Sequence, residues 1–138
     1  MIWQTITKHV ACVAITLASL GVLGCSQTEE VPLIEGTVTV DGKPAGGLYV
    51  VFHDAGDPNA EAVASSTRTE DSGHFNWSVP EPGEYVITAF WPKRIVTQEE
   101  TIEGPDMLRG KYRSLKHPAA TVTIQAGENE LPPIDLSR

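Results

Sequence analysis

The thiol of Cys25 is the side chain whose position most clearly indicates chemistry. It directly follows Val10–Gly24, an apolar run that contains no charged residue. The preceding residues 1–9 carry one Lys and no acidic residue. A weakly basic start followed by an apolar stretch shorter than the roughly 20 residues that cross a bilayer is typical of an export signal. The pattern therefore predicts an exported protein with a nucleophilic thiol at the end of its signal.

The residues around this thiol resemble the lipobox of bacterial lipoproteins. In Val22-Leu23-Gly24-Cys25, aliphatic and small residues precede the cysteine, and Ser26 follows it. In that family the cysteine sulfur is lipidated, the signal is cut before it, and the new N-terminus is acylated, with palmitate among the acyl chains. The resemblance implies a signal peptide over residues 1–24 and a membrane anchor on Cys25. An uncleaved anchor, or an ordinary signal with a chance cysteine, is the alternative.

The same resemblance implies a location in the cell envelope. Ser26 stands where an Asp retains members of the family at the inner membrane. The outer membrane is therefore the expected site, with the protein facing the periplasm or the cell surface.

Basic residues concentrate in residues 92–118, which form a long connection between two predicted strands. Six of the nine Lys and Arg residues that follow the signal lie there, and Arg109, Lys111 and Arg113 alternate. An extended segment would direct alternating side chains to one side. We therefore predict that Arg109, Lys111, Arg113 and Lys116 contact an anionic lipid headgroup, an anionic glycolipid or an acidic envelope protein. The alternative is a solvated loop whose charge is offset by four acidic residues of the same segment.

Histidines and carboxylates give no pattern of a catalytic or metal site. The three histidines after the signal lack His-x-His or His-x-x-x-His spacing. The loop from His53 to Glu61 offers oxygen ligands for calcium, but it lacks the alternating acids of a calcium loop, and a solvated loop is favoured. Gly-x-Ser-x-Gly is absent. We predict no catalytic residue, no metal and no cofactor.

Two features have a ligand-binding interpretation beside a structural one. Trp77 and Trp91 could form a carbohydrate platform, although inward-facing tryptophans are commoner in a β-sandwich. Asp71-Ser72-Gly73 could bind a ligand, but a turn with Gly at positive φ is favoured. The functional prediction is a noncatalytic envelope module with a structural, adhesion or binding role. The alternative is an accessory domain that binds a small ligand or a carbohydrate.

The overall charge argues against nucleic-acid binding. The chain has 138 residues with 10 Lys and Arg against 18 Asp and Glu, which gives a formal net charge of −8. Binding to phosphates requires a basic face. The length suits one domain. Two cysteines, of which Cys12 lies inside the signal, cannot supply a disulfide framework.

Alternating apolar and polar residues predict short strands from Ile34 onward. Glu84–Trp91 is the most β-prone run and is predicted to be a central strand buried on both faces near its end. Pro132 and Pro133 cannot donate ladder hydrogen bonds, so the last strand is predicted to be an edge or to carry a bulge. No helix-period stretch follows Cys25.

These patterns predict an acidic tether over residues 25–33 and one domain over residues 34–138. Short strands separated by turn residues, without helices, do not allow βαβ units. The predicted domain is an all-β, seven-stranded antiparallel Greek-key sandwich.

The tail of this domain, Gly110–Tyr112 followed by Ala120–Asn129, resembles small lipoproteins of planctomycete-like bacteria. Four further segments resemble the carboxypeptidase regulatory-like, transthyretin-like domain that such lipoproteins carry. These four segments are Gly36–Pro44, Gly47–Phe52, Thr69–Phe75 and Pro82–Thr88. They follow G-x-V-x-x-x-G-x-P, G-x-x-V-x-F, T-D-x-x-G-x-F and P-G-x-Y-x-V with two departures: Asp71 shifts the acid of the third pattern by one position, and Ile87 replaces the valine of the fourth. The matched residues are turn glycines, a turn acid and inward aromatics, so the resemblance implies a transthyretin-like sandwich and no particular activity.

Substitution Cys25→Ala tests the predicted lipid anchor. Without the sulfur nucleophile, the precursor should stay uncut and unacylated, and intact-mass spectrometry of the membrane fraction should show this directly. A mature chain released at the same position in the variant would contradict the lipobox prediction.

Overall fold

A computed structural model of the chain describes residues 24, 28–57, 59 and 61–138. Within this part the protein is all-β, which confirms the predicted fold class: it contains eleven strands and no helix. Accordingly, no helix among the described residues is long and apolar enough to cross a bilayer. Cys25 and the predicted signal peptide, apart from Gly24, lie outside the described residues.

The strands form a five-stranded sheet, a four-stranded sheet and a separate two-stranded hairpin. In chain order they are β1 (Leu33–Val40), β2 (Lys43–Pro44), β3 (Tyr49–Asp54), β4 (Ser65–Arg68), β5 (His74–Ser78), β6 (Gly83–Phe90), β7 (Pro92–Val96), β8 (Thr101–Asp106), β9 (Ala120–Ile124), β10 (Glu128–Glu130) and β11 (Ile134–Leu136).

Strand β1 is the centre of the first sheet. On one edge it pairs antiparallel with β5 and β2, and on the other it pairs parallel with β10 and then β11. The prediction of a purely antiparallel sandwich is therefore wrong at this edge, because the returning chain runs in the same direction as β1. The prolines at 132 and 133 divide the returning segment into two short strands, since neither can donate a ladder hydrogen bond.

The second sheet is fully antiparallel, in the order β4-β3-β6-β9. Strand β6 lies inside it, between β3 and β9, as its apolar sequence predicts. Its residues Tyr85, Ile87 and Ala89 face the first sheet and are buried. Thr88 on the opposite face is buried too, so β6 is covered on both faces towards its end.

The predicted count of seven strands is not confirmed. One reason is that the segment after β6, predicted as a long connection, forms the β7–β8 hairpin. Ile95 pairs with Ile102. The connecting turn is closed by a 2.8 Å hydrogen bond from the Thr97 N–H to the Glu100 carbonyl. The hairpin pairs with neither of the two larger sheets.

The core lies between the facing sides of the two larger sheets. Phe52 of the second sheet contacts Phe75 of the first, with ring centroids 6.4 Å apart and edge-to-face geometry. Gly36 pairs with Phe75 across the first sheet. A Cβ atom at Gly36 would lie 2.5 Å from the Phe75 ring, so glycine provides the space that the ring fills.

The turn before β5 has the structural role that its sequence favours. Gly73 has φ of +78°, which the left-handed region allows readily only for glycine. A Cβ atom there would lie 2.4 Å from the Val38 carbonyl oxygen. The Gly73 N–H donates to the Glu70 carbonyl at 2.8 Å and closes the turn.

Phe75→Ala tests the sheet-to-sheet contact. Removal of a buried ring is expected to lower the free energy of unfolding by about 3–5 kcal/mol. The neighbouring Asn76 is exposed, so Asn76→Ala serves as the control and should change stability by less than about 0.5 kcal/mol. Urea unfolding measures both, and equal effects of the two variants would contradict the assigned core.

Candidate functional site

The sandwich has two distinct ends along the direction of β1. At the entry end, β1 begins at Leu33, which pairs with Ser78 and Glu128. At the far end, β1 finishes at Val40 and β6 finishes at Phe90. The β7–β8 hairpin and the turns that follow it begin at the far end.

Charge is divided unequally between these two ends. The far end holds all nine Lys and Arg residues of the described part, together with eight Asp and Glu residues. The entry end holds only acidic residues, namely Glu29, Glu30, Glu35, Asp54, Asp57, Glu61, Glu81, Glu84, Glu128 and Glu130. The strongly negative chain therefore has an acidic entry end and a far end of mixed charge with a small basic excess.

The predicted basic segment lies at the far end, but it is not extended. The backbone N–H groups of Arg109, Lys111 and Arg113 donate to carbonyls three residues earlier, at 3.0, 3.1 and 3.3 Å. Arg109 has φ of +55°. The expectation that alternation directs these side chains to one side is wrong, because consecutive turns replace the extended backbone.

The four predicted contact residues consequently have different surroundings. The Lys111 ammonium donates to the Ser137 Oγ at 2.8 Å and fixes the C-terminal segment. Arg109, Arg113 and Lys116 are exposed like Lys111, but Arg113 also packs against a ring of the second sheet.

The contact of Arg113 is part of a stack of four side chains on the outer face of the second sheet. In order, the stack consists of Arg68, Tyr49, Phe90 and Arg113. Tyr49 and Phe90 are neighbours on β3 and β6, with centroids 4.6 Å apart and planes 11° apart. The Arg68 guanidinium lies 4.9 Å from the centroid of Tyr49, and that of Arg113 lies 4.6 Å from the centroid of Phe90. Cation–π contacts at exposed positions contribute about 0.5–1 kcal/mol each. The stack therefore uses both arginines to hold the sheet and the turns together.

Glu103 of β8 fastens the hairpin to this stack. Its Oε1 accepts a 2.8 Å hydrogen bond from the Tyr49 hydroxyl and forms a 3.1 Å ion pair with Arg68. The hydrogen bond to this carboxylate raises the pKa of Tyr49 above its ordinary value, and burial acts in the same direction. The base of the hairpin is thus held at a defined position.

A cleft of about 290 Å³ opens between the hairpin base and the turns of the larger sheets. Its volume is close to the lower limit of small-molecule pockets. Its lining consists of Gly46, Gly47, Arg68, Thr69, Asp71, Trp91, Pro92, Arg94 and Met107.

The floor of the cleft is rigid. The Trp91 indole N–H donates to the Gly46 carbonyl at 2.9 Å. Buried Thr69 accepts from the Leu48 N–H at 2.9 Å and donates to the Ala45 carbonyl. A Cβ atom at Gly46 would lie 2.8 Å from the Cα of Asp71, so glycine provides the space that lets the Asp71 turn pack against this backbone.

The charged groups of the cleft differ in how they are compensated. Arg68 is engaged by Glu103 and by the Gly47 carbonyl, to which its Nε donates at 3.2 Å. Arg94 and Asp71 take part in none of the ion pairs or side-chain hydrogen bonds formed among the described residues. The cleft therefore offers a guanidinium and a carboxylate that no side chain of the described residues engages, together with part of an indole ring. No pattern in the sequence predicts that these three residues meet.

Asp106, the last residue of β8, organises the base of the hairpin. Its Oδ1 accepts hydrogen bonds from the N–H groups of Trp91 at 2.8 Å and Leu108 at 3.0 Å. Its Oδ2 accepts from the Gly110 N–H at 2.9 Å. Burial by itself would raise the pKa of Asp106, but the three hydrogen bonds and Arg113 outweigh it and hold the pKa below its ordinary value.

The histidines are used within the fold. His53 is buried, with Nδ1 3.2 Å from the Ala62 carbonyl oxygen and Nε2 2.9 Å from the Thr88 hydroxyl. His74 bonds Glu35 on the surface at 2.8 Å. Among the described residues, no three His, Cys, Asp or Glu side chains converge as metal ligands, and this includes the acidic loop considered for calcium.

The two tryptophans do not form one platform. Trp77 lies at the entry end and donates its indole N–H to Ser65. Its exposed fraction is 41%, so the expectation that it faces inward is wrong. Trp91 lies at the far end, half-buried, with the Arg138 guanidinium 5.5 Å from its ring centroid. Only Trp91 lines the cleft.

No protein-family model matches the chain, and no curated protein matches it. Among solved structures, the chain is similar to a protein of Pseudomonas aeruginosa whose proposed role is carbohydrate binding, with 15% identity and a TM-score of 0.39 over 83% of this chain and 92% of the other. It is also similar to a 9R-lipoxygenase of Cyanothece, with 10% identity and a TM-score of 0.38 over 79% of this chain and 16% of the enzyme. The fold assignment rests on the strand pairings and core described above.

Asp106→Asn tests the role of this carboxylate. The asparagine side chain has an NH2 donor in place of one carboxylate oxygen, so at least one of the three backbone N–H groups loses its acceptor. The free energy of unfolding should therefore fall by about 1–3 kcal/mol near neutral pH. Because the folded-state pKa is lowered, the stabilising effect of the charge is complete above the unfolded pKa of about 3.9 and is lost as the pH falls through the folded value.

Urea unfolding at neutral pH and near pH 3 checks this expectation. The difference in the free energy of unfolding between wild type and Asp106→Asn should be smaller near pH 3 than at neutral pH. The exposed control Glu99→Gln should have the stability of wild type at both pH values. A gap that does not depend on pH would show that the charge of Asp106 is not what stabilises the turn.

Proposed function

We propose that this protein is a noncatalytic binding module of the cell envelope, anchored by lipid on Cys25 and of the transthyretin-like type that its sequence resembles. One observation carries the proposal: the chain enters the sandwich at one end, while the cleft, the hairpin and every described Lys and Arg lie at the other. An anchored domain with this arrangement presents its far end away from the attachment point.

Distances along the chain support this orientation. The tether between Cys25 and Leu33 reaches at most about 29 Å from the lipid when extended. Strand β1 adds about 25 Å between the entry end and the far end. The acidic entry end is repelled by anionic headgroups, which favours a domain that stands off the membrane.

This orientation changes the partner expected for Arg109, Lys111, Arg113 and Lys116. These residues lie at the far end, so the membrane that holds the lipid is not their natural contact. We propose that they contact an acidic component of the envelope that faces the anchored protein.

The surroundings of potential nucleophiles support a noncatalytic role. His53 and Thr88 are a base and a hydroxyl within hydrogen-bond distance, but both are buried. The second nitrogen of His53 faces a backbone carbonyl rather than a carboxylate. Because both groups are buried, such a pair cannot reach a substrate.

The alternative, an accessory domain that binds a small ligand or a carbohydrate, is favoured by the far-end cleft. A concave site with a few convergent polar groups beside an aromatic ring is the usual form of a ligand site. The two proposals are compatible, since an envelope module can use the cleft for its contact.

Energy transfer to labelled lipids tests the orientation. After processing, the mature chain has no free thiol, so Gln98→Cys at the hairpin tip and Glu128→Cys at the entry end each introduce one label site; both positions are exposed. The lipidated protein is placed in vesicles of phosphatidylethanolamine and phosphatidylglycerol that carry an acceptor dye on the headgroups.

We expect strong transfer from position 128 and weak transfer from position 98. Dissolving the vesicles in excess detergent should abolish transfer from both positions, because the protein and the acceptor lipids are then diluted apart. Stronger transfer from position 98 would contradict the proposal and would place the basic residues on the anchoring membrane.

A further inference from the structure

We propose that the far-end cleft binds the carboxylate-bearing sugar unit of an acidic envelope polysaccharide, through Arg94, Asp71 and Trp91. This inference rests on the proposed function, since it names the ligand class for the end of the molecule that an anchored domain presents. It is carried by three features of the cleft: a free guanidinium, the polar and aromatic groups beside it, and the distribution of charge around it.

Arg94 is the group that selects a carboxylate. A guanidinium presents paired N–H donors that match the two oxygens of a carboxylate. Arg68, the other arginine of the cleft, already has such a partner in Glu103 at 3.1 Å. Glu103 also lies opposite Arg94 in the hairpin register, yet it pairs with Arg68 across to β4 instead. The hairpin therefore holds Arg94 at the cleft with its charge uncompensated by the described residues.

Asp71 and Trp91 supply what the rest of a sugar ring requires. The Asp71 carboxylate accepts hydrogen bonds only, so it suits hydroxyl donors. The Trp91 N–H is already satisfied by the Gly46 carbonyl, which leaves the ring surface as its contribution. Arg138 contacts the indole ring but does not line the cleft. Glycine at position 46 lets the Asp71 backbone approach closely, which holds the turn that carries this carboxylate at the cleft.

The surroundings favour an anionic polymer over an isolated neutral sugar. A cleft of about 290 Å³ accommodates one ring, so further units would extend over the exposed surface of the far end. Arg109 and Lys116 are exposed on that surface, and the acidic entry end repels a polyanion. Attraction to the far end and repulsion from the entry end together direct an acidic chain to the cleft.

Calorimetric titration of the full chain in a nonionic detergent tests the proposal. The ligands are trigalacturonate, which carries carboxylates, and galactotriose, its uncharged counterpart. We expect trigalacturonate to bind at least about tenfold more tightly than galactotriose, as one charge-assisted bidentate contact allows. Equal affinity of the two sugars, or no heat of binding with trigalacturonate, would overturn the carboxylate assignment.

A pair of neighbouring substitutions separates the cleft from general charge. Arg94→Gln should weaken trigalacturonate binding about tenfold. Lys93→Gln removes the same charge from the preceding residue of β7, which does not line the cleft, and should change the affinity less than about twofold. Equal losses in both variants would overturn the proposal in favour of nonspecific attraction to the far end. Melting temperatures within error of wild type show that both variants are folded.

Sulfated dextran oligosaccharides distinguish a carboxylated sugar from any polyanion. We expect them to bind more weakly than trigalacturonate and to be insensitive to Arg94→Gln. Tighter binding of the sulfated sugar would overturn the assignment. The titration in detergent does not depend on the lipid anchor or on the orientation of the domain. A negative titration would therefore overturn the ligand assignment alone, and a negative energy-transfer result would overturn the orientation alone.

Discussion

The Asp106 carboxylate holds the far end of the sandwich in its shape. Its three hydrogen bonds join the residue before the hairpin, Trp91, to the first residues of the turn that follows, Leu108 and Gly110. Leu108 is itself part of the core, with an exposed fraction of 1%. One ionised group therefore fixes the start of β7, the end of β8 and the entry into the basic turns. The position of Arg94 and the shape of the cleft both depend on it.

Two arginines of the far end are held in structural contacts, whereas a third is left for binding. Arg68 and Arg113 cover the two faces of the Tyr49–Phe90 stack and bind the hairpin and the turns to the second sheet. Arg94 contributes to neither contact, although it lies on the same hairpin as the carboxylate that engages Arg68. The hairpin holds the backbone of Arg94 in place, and no ion pair among the described residues engages its guanidinium, so an arriving anion displaces no existing ion pair.

Much of the fold could be predicted from the sequence because its causes are local. Alternation places Ile34 and Val38 on one face of the strand, and a glycine such as Gly73 favours a turn because it adopts a positive φ readily. The strand count and the parallel edge could not be predicted in this way. The segment after Phe90 is polar and exposed on a two-stranded hairpin, so it lacks the one-sided burial that produces a readable period.

The all-β class, the central position of β6 and the concentration of basic residues after residue 92 follow from local sequence patterns. What those basic residues contact depends on the tertiary structure. Glu103 could pair with its cross-strand neighbour or with Arg68, and only the approach of the hairpin to β4 selects Arg68. Likewise Asp71, Trp91 and Arg94 come from three separate turns and strands. Their meeting depends on how the sheets and the hairpin pack, because ion pairs and clefts are set by distances in space rather than along the chain.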